Sequence, residues 1–143
     1  MIDSSILKIA SDTKNYGLKN KSSFKASGKN KLCGDKITIE LDISAGKIKR
    51  MFYETESCLF CQASASLLSK VIKSVEINEL IAEINSIKKI KKFKNTKYKS
   101  TNKRFVSFKK LLNIKYENRF NCVVLPLNTV IKAITPWIIR FFL

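Results

Sequence analysis

Residues 37–47 read Ile-Thr-Ile-Glu-Leu-Asp-Ile-Ser-Ala-Gly-Lys and contain the clearest structural pattern of this chain. Apolar side chains occupy every odd position from 37 to 43, which is typical of a β-strand with one buried face. The next residues, 44–47, predict a tight turn in which Gly46 supplies a positive φ, and residues 48–54 predict the returning strand. The segment therefore predicts an antiparallel β-hairpin.

The open end of this hairpin lies close to two cysteines. If Ser44 and Lys47 flank the turn, the register places Cys33 opposite Cys58. A slip of one or two residues would still leave both thiols at the same end of the hairpin. Asp35 lies two positions from Cys33, so its side chain is expected on the same face. We therefore expect these three side chains to be neighbours in space.

Helical periodicity follows the hairpin. Apolar residues at intervals of three and four predict a helix over residues 59–75: Phe60, Ala63, Leu67, Leu68, Val71, Ile72 and Val75. Ser57 is the predicted N-cap, which places Cys58 in the first turn, where the helix dipole favours a thiolate. The small residues 63–66 would permit a close approach of this helix to the sheet.

Weaker patterns complete a single domain over residues 1–143. We predict an N-terminal helix from residue 5 that ends near Gly17, a loop over 18–31 with an irregular edge strand around Phe24, a second helix over 77–90, a mobile Lys-rich connection over 91–102, a further helix through Phe105 and Leu112, a last helix from about Val123 to Ile134, and an apolar tail over 136–143. Pro126 fits the last helix only in its first turn. The expected fold class is α+β, with a small antiparallel sheet of about three strands packed on one side by helices.

Composition favours a globular protein and limits the choice of partners. The chain has 143 residues, of which 45% are hydrophobic and 27% charged, as in an ordinary single domain. We find neither a secretory signal nor an apolar stretch of roughly 20 residues, so we expect a cytoplasmic protein with no membrane partner.

The net charge of +17 suggests nucleic acid as a partner, but only four of the 28 basic residues are Arg, the residue that base recognition prefers. Nucleic acid is therefore a disfavoured partner. The Lys-rich segment 88–110 is interpreted as solvated, with a docking surface for an acidic partner as the alternative.

Four cysteines in a chain without histidine carry the functional signal. In a reducing cytoplasm, clustered thiols more often bind metals or react than form disulfides. Cys61 follows Cys58 by one helical turn and is expected to point into the helix packing, so we interpret it as a core residue, with redox involvement as the alternative. Cys33, Cys58 and Cys122, together with Asp35, look like a soft-metal site suited to zinc or an iron–sulfur cluster.

Several short motifs resemble the U-type iron–sulfur cluster scaffold family, the IscU/SufU/NifU N-terminal fold, over roughly residues 5–135. The motifs are the N-terminal helix with its exit Asn15-Tyr16-Gly17, then Cys33-Gly34-Asp35, Cys58 with Gln62-Ala63-Ser64-Ala65-Ser66, and residues 119–126 around Cys122. Asn121 stands where the IscU subtype has His, and residues 115–120 replace its chaperone signal. The 63 residues between Cys58 and Cys122 are instead similar to the SufU subtype.

The resemblance implies a SufE/NifU-like fold and a scaffold function. Cys33, Asp35, Cys58 and Cys122 would bind either an iron–sulfur cluster of the [2Fe-2S] type or Zn²⁺. Sulfur would come as persulfide from a cysteine desulfurase, with Cys122 as an exposed thiolate that accepts it, and recipient apo iron–sulfur proteins would take the cluster. Asp35 would be the labile oxygen ligand. The protein would then be a carrier and not an enzyme.

Two other functions remain open at this point. The same four residues could hold Zn²⁺ in a zinc-dependent sulfurtransferase, which accepts persulfide and activates a cysteine desulfurase. The chain could also be a basic nucleic-acid-binding module with a structural metal. A hydrolase or kinase is disfavoured because the sequence contains no Ser/His/Asp arrangement and no phosphate-binding glycine loop.

Overall fold

A three-stranded antiparallel sheet forms the base of the molecule. The structure, a computed structural model, describes residues 2–90 and 102–142. Its elements are α1 (Ser4–Ser11), β1 (Phe24–Lys29), β2 (Lys36–Ser44), β3 (Lys47–Glu56), α2 (Leu59–Val71), α3 (Ile77–Lys88), two 3-10 helices (Lys103–Lys110 and Ile114–Arg119) and α4 (Phe120–Phe142). The strand order is β1-β2-β3. α4 packs against β1 and β2, and α2 packs against β3. The predicted α+β class is confirmed.

The predicted hairpin is present, but its register differs from the prediction. Ser44 pairs with Lys47 across a two-residue turn, where Ala45 and Gly46 have φ values of 53° and 73°, as a twisted hairpin requires. An irregularity between Asp42 and Ile43 then shifts the pairing by one residue, and the ladder ends at Lys36 opposite Glu56. The predicted opposition of Cys33 and Cys58 is therefore wrong, because a β-bulge inserts one residue into the returning strand and because pairing stops before either cysteine.

The small residues of α2 place this helix between two other helices. The Oγ of Ser64 donates a 2.6 Å hydrogen bond to the carbonyl of Val123 in α4. The Oγ of Ser66 donates a 2.9 Å bond to the carbonyl of Asp12, which follows α1. Ala63 and Ala65 are fully buried. The small residues were predicted to bring α2 close to the sheet. Instead they pack chiefly against α1 and α4, because small side chains allow helix backbones to approach each other.

The edge strand predicted around Phe24 within the loop 18–31 is present as β1, but it is regular and not irregular. Residues Phe24–Lys29 form a regular strand whose side chains alternate between half-buried and exposed. The half-buried positions are Phe24, Ala26 and Gly28, so the apolar signal of the strand is weak. A Cβ at Gly28 would lie 2.2 Å from Thr129 Oγ1 and 3.1 Å from Leu125 Cδ1. Gly28 therefore lets α4 lie directly on the sheet, which is a constraint that sequence periodicity does not show.

The last helix is much longer than predicted. α4 spans Phe120–Phe142 and contains both Pro126 and Pro136, whereas the prediction ended the helix at Ile134 and treated 136–143 as a tail. Each proline removes one helical N–H bond. Burial of one face of the helix offsets this loss, since Val123, Leu127 and Val130 are fully buried. The expected tail is thus the final turns of α4, where Phe141 is 62% exposed.

The length of α4 also changes one expectation about membranes. The helical region Ile114–Phe141 contains an 18-residue window with a mean hydropathy of 1.6, long and apolar enough to cross a bilayer by length and composition alone. The prediction that no such stretch exists is therefore wrong. However, 56% of this window is buried inside the protein, as in the core helix of a globular domain.

Other boundaries differ from the prediction by shorter distances. α1 ends at Ser11 and not near Gly17, α2 ends at Val71, and α3 ends at Lys88. The segment through Phe105 and Phe108 forms a 3-10 helix. The predicted Lys-rich connection 91–102 lies outside the described residues except for Asn102.

Glu40 stabilises the outer face of the sheet. Its side chain is 1% exposed, and its two oxygens accept hydrogen bonds of 2.7–2.9 Å from the four backbone N–H groups of residues 19–22. Burial raises the pKa of this carboxyl, but the four N–H bonds outweigh burial and hold the pKa at about 2. A single ionised side chain thus fixes the segment between α1 and β1.

Glu40→Gln should lower the free energy of unfolding by about 2–4 kcal/mol at neutral pH, because an amide cannot accept all four N–H bonds. The wild-type stabilisation should be fully present above the ordinary Glu pKa of 4.5 and disappear as the pH falls toward about 2, which amounts to roughly 3 kcal/mol. Urea denaturation at a series of pH values measures both effects.

Glu54→Gln is the matched control for Glu40→Gln. Its carboxylate is exposed and accepts one backbone N–H, from Leu18, at 3.0 Å. Glu54→Gln should lower the free energy of unfolding by less than about 1 kcal/mol. Equal losses in the two variants would contradict the role given to Glu40.

Gly28→Ala should lower the free energy of unfolding by about 1–3 kcal/mol, because the new methyl group collides with Thr129. Thr129→Ala in the same chain should restore most of the loss. Chemical denaturation of the two single variants and the double variant measures the coupling. Ser27→Ala, on the solvent side of the same strand, is the control and should be nearly neutral. If the double variant lost as much stability as the two single variants together, the collision with Thr129 would not be the cause of the loss in Gly28→Ala.

Candidate metal centre

The loop between β1 and β2 holds Cys33 and Asp35 in a defined turn. The N–H of Gly34 bonds to the carbonyl of Asn30 at 2.8 Å, and the N–H of Asn30 bonds to the carbonyl of Asp35 at 2.8 Å. The Asn30 side chain also accepts the N–H of Leu32 at 3.1 Å. Gly34 has a φ of 77°, which glycine adopts without strain. The Cys-Gly-Asp motif is therefore a turn that exposes Cys33 and directs Asp35 inward.

Asp35 is a buried carboxylate with one oxygen left without a partner. Its side chain is 3% exposed. Oδ1 accepts the backbone N–H of Cys58 at 2.9 Å, whereas Oδ2 is buried and has no hydrogen-bond partner among the described residues. A buried polar atom without a partner is costly and requires an explanation. A cation bound at Oδ2 would supply the missing interaction.

Cys58 is the residue at the start of α2. It has extended backbone dihedrals and is itself the N-cap, so the prediction that Ser57 is the N-cap is wrong. Ser57 instead contributes to the turn, since its carbonyl accepts the side-chain N–H of Gln62 at 2.9 Å. The Cys58 thiol makes no capping hydrogen bond. It is half-buried and lies at the N-terminal end of α2.

Cys122, the third residue of α4, meets Cys33 across 89 residues of sequence. The two Sγ atoms are 3.9 Å apart. Ligand atoms of Cys33, Asp35 and Cys122 all lie within 4.8 Å of one another. Two thiolates bound to one tetrahedral metal at about 2.3 Å are separated by about 3.8 Å. The observed sulfur separation therefore fits a shared metal, and the predicted convergence of these three residues is present.

The fourth predicted ligand, Cys58, adjoins this group. The pKa of the Cys122 thiol is raised far above its usual range. Burial is the largest cause, followed by the neighbouring thiols of Cys58 and Cys33 and the carboxylate of Asp35. If all three thiols ionised, they and the carboxylate would repel one another strongly at such distances. Together with the unpartnered Asp35 oxygen, this repulsion means that the donor set fits a bound cation, either a single soft metal ion or the iron of a cluster.

Cys61 lies behind the group and takes a different role. Its side chain is completely buried. Burial, only partly offset by the Ser57 hydroxyl, raises the pKa of the Cys61 thiol to about 12. It is thus a neutral thiol in the core, and the interpretation of Cys61 as a core residue is confirmed.

Solvent access to the thiols differs from the prediction for Cys122. Cys122 is 4% exposed, whereas Cys33 is exposed. The expectation of an exposed Cys122 thiolate is therefore wrong, because Cys122 is buried in the first turn of α4 beside the Cys33 sulfur. The accessible thiol is Cys33.

Sequence reasoning missed the residues that position the ligands. Asn30 holds the turn, Ser64 anchors the first turn of α4, and Gly28 allows α4 to approach. Ser64 belongs to a motif of small residues that is recognisable in the sequence. Its hydrogen-bond partner Val123, however, is 59 residues away. Nothing in the sequence links these pairs.

Comparison with known proteins identifies the family. A profile of the NifU-like N-terminal domain matches residues 2–123. The chain belongs to this family. The iron–sulfur cluster assembly scaffold protein IscU of Thermotoga maritima is 32% identical to it over 95 residues, which cover 66% of this chain and 67% of that protein.

Two crystal structures share the fold. The N-terminal NifU-like protein of Brucella abortus has a TM-score of 0.81 at 22% identity and covers 92% of this chain and 90% of its own. A putative iron–sulfur cluster assembly scaffold protein for the SUF system from Fervidobacterium islandicum has a TM-score of 0.80 at 20% identity, with 93% and 96% covered. At these identities the likeness shows the fold.

Limited alkylation of the metal-free protein should modify Cys33 first. Cys61 and Cys122 should react at least about ten-fold more slowly, because both are buried and their thiols have raised pKa values. Mass spectrometry of peptides after brief treatment with iodoacetamide measures the order. In urea all four thiols should react at similar rates, which is the control. Modification of Cys122 before Cys33 in the folded protein would contradict the burial described here.

Proposed function

We propose that this protein is an iron–sulfur cluster assembly scaffold that holds its cargo on Cys33, Asp35, Cys58 and Cys122. The observation that carries the proposal is the convergence of three of these ligands around a buried, unpartnered carboxylate oxygen. Membership in the NifU-like family and the likeness to the Thermotoga scaffold support it. The neighbour from Fervidobacterium supports the SufU subtype.

The ligand set explains how a cargo could be held and then released. Thiolates bind iron firmly, whereas a carboxylate is a harder and weaker partner for a cluster. Asp35 Oδ1 already accepts the N–H of Cys58, which leaves Oδ2 as the unpartnered oxygen best placed to be the ligand. One weak ligand among three strong ones favours transfer of the cluster to recipient apo-proteins.

The exposed Cys33 is the point at which sulfur would enter. A cysteine desulfurase presents a persulfide, and attack by a Cys33 thiolate on its outer sulfur forms a new S–S bond while the donor cysteine leaves as thiolate. Cys122 is less accessible but could receive the sulfur from Cys33, because their sulfurs are 3.9 Å apart. Free thiols of this kind fit a reducing cytoplasm, which is the location we propose.

A zinc-dependent sulfurtransferase is the second candidate. The separation of the Cys33 and Cys122 sulfurs fits one tetrahedral ion as well as one iron of a cluster. In this case the same residues would hold Zn²⁺, and release of a thiolate ligand would free it to accept persulfide. Metal analysis and the absorption spectrum of anaerobically purified protein separate the two: a visible sulfur-to-iron band supports the scaffold, and stoichiometric zinc supports the sulfurtransferase.

Asp35→Ala should lengthen the lifetime of a reconstituted cluster and slow its transfer to an apo-ferredoxin several-fold, because the labile oxygen ligand is lost. Loss of the cluster band after mixing measures the rate. Asp35→Asn keeps an acceptor for the Cys58 N–H but removes the negative charge. Comparison with Asp35→Ala therefore distinguishes the effect of the charge from that of the hydrogen bond. Asp42→Ala, which removes a carboxylate from β2 outside the site, is the control. Unchanged transfer by both Asp35 variants would argue against the role of Asp35.

The same preparation tests the thiol ligands with a matched pair of cysteines. Cys58→Ser should abolish stable cluster binding, whereas Cys61→Ser, one turn further along α2, should retain it. Equal loss of the cluster in the two variants would contradict the proposed ligand set.

A further inference from the structure

A basic groove lies at the end of α2 that is remote from the metal centre. It has a volume of about 580 Å³ and runs between the residues that follow α1, strand β3 and the last turns of α2. Four cationic side chains line it, from Lys14, Arg50, Lys70 and Lys73, against one carboxylate, from Asp12. We refer to it as the basic groove.

Internal ion pairs leave this basic groove with excess positive charge. Lys70 pairs with Asp12, and Arg50 Nε lies 3.4 Å from the carboxylate of Asp42. Lys14 and Lys73 are exposed and make no ion pair with any residue in 2–90 or 102–142. The two carboxylates near the groove are thus already matched by cations, while two lysines remain available to an external anion.

The groove also offers an aromatic surface between its charges. Phe52 is half-buried, and two cations lie over its ring: Lys19 Nζ at 5.3 Å and Arg50 Cζ at 5.7 Å from the centroid. Cations held on an aromatic face remain accessible to an incoming carboxylate. The lining therefore combines dispersed positive charge with apolar contact area.

The position of the groove separates it from the cluster chemistry. Cys58 caps the start of α2, whereas Lys70 is in its last turn. A helix of 13 residues is about 18–20 Å long. A partner bound in the groove would therefore leave Cys33 and Cys122 free to exchange sulfur or cluster.

We propose that the basic groove docks an acidic peptide segment of a partner protein. Its cations come from three separate segments of the chain, which suits an extended peptide with spaced carboxylates. A compact polyphosphate is disfavoured because Asp12 lies in the lining, and Lys, unlike Arg, does not form the bidentate pair that phosphate favours. This inference goes beyond the scaffold function and does not rest on it.

Fluorescence anisotropy with a short labelled oligoglutamate peptide tests the proposal. The variant carrying Lys14→Gln and Lys73→Gln should bind the peptide about five-fold more weakly than the wild type, and binding should weaken as salt rises. Lys25→Gln with Lys29→Gln, on the opposite edge strand β1, removes the same charge and is the matched control; it should reduce the affinity less than two-fold, roughly. Thermal melting verifies that each variant is folded.

Three results would overturn the proposal. An equal loss of peptide affinity in the groove variant and in the control would show that only the net charge of the protein matters. Absence of peptide binding to the wild type at low salt would remove the site altogether. Tighter binding of a single-stranded oligonucleotide of equal charge, with the same loss in the groove variant, would assign the groove to nucleic acid. Cluster reconstitution should be normal in the groove variant, so the scaffold proposal is tested separately.

Discussion

The packing of α4 on β1 is the contact on which the metal centre depends. Cys33 and Cys122 are 89 residues apart in sequence, and nothing local brings them together. The absent side chain of Gly28 lets Thr129 and Leu125 lie against the strand, while Ser64 ties the first turn of α4 to α2. These two close approaches fix the rotation and height of α4, and thereby place its third residue beside the turn that carries Cys33.

The chemistry of the site follows from an electrostatic conflict within this packing. The fold crowds thiols around Asp35, buries one of its oxygens without a partner, and raises the pKa of Cys122. The unpartnered oxygen is costly in a metal-free protein, whereas the raised pKa keeps the Cys122 thiol protonated there. In the proposed scaffold, a soft cation would satisfy the crowded donors, and the single oxygen ligand would limit how firmly the cation is held. Three thiolates would then retain the cargo, and the weaker carboxylate would allow its release.

Burial also assigns different roles to cysteines that look alike in sequence. Cys58 and Cys61 are three residues apart, yet the first occupies the N-cap position of α2 at the site and the second is a neutral thiol in the core. Likewise, Cys33 and Cys122 both belong to the candidate metal site, but of these two only Cys33 is exposed to solvent. In the proposed scaffold, the exposed turn around Cys33 would exchange sulfur or cluster with a partner, and the buried Cys122 would help to retain it.

The sequence by itself determined the hairpin, the stripe of α2, the four candidate ligands and the family resemblance, because strict alternation, helical spacing and short motifs are local patterns. The tertiary structure alone decided the bulge that shifts the register, the extent and regularity of β1, the full length of α4 and the accessibility of each thiol. The apolar face of β1 is weak, so its bounds become clear only beneath α4, and α4 continues through two prolines because burial offsets the lost hydrogen bonds. Such features depend on contacts between distant segments, whose free energies no local pattern contains.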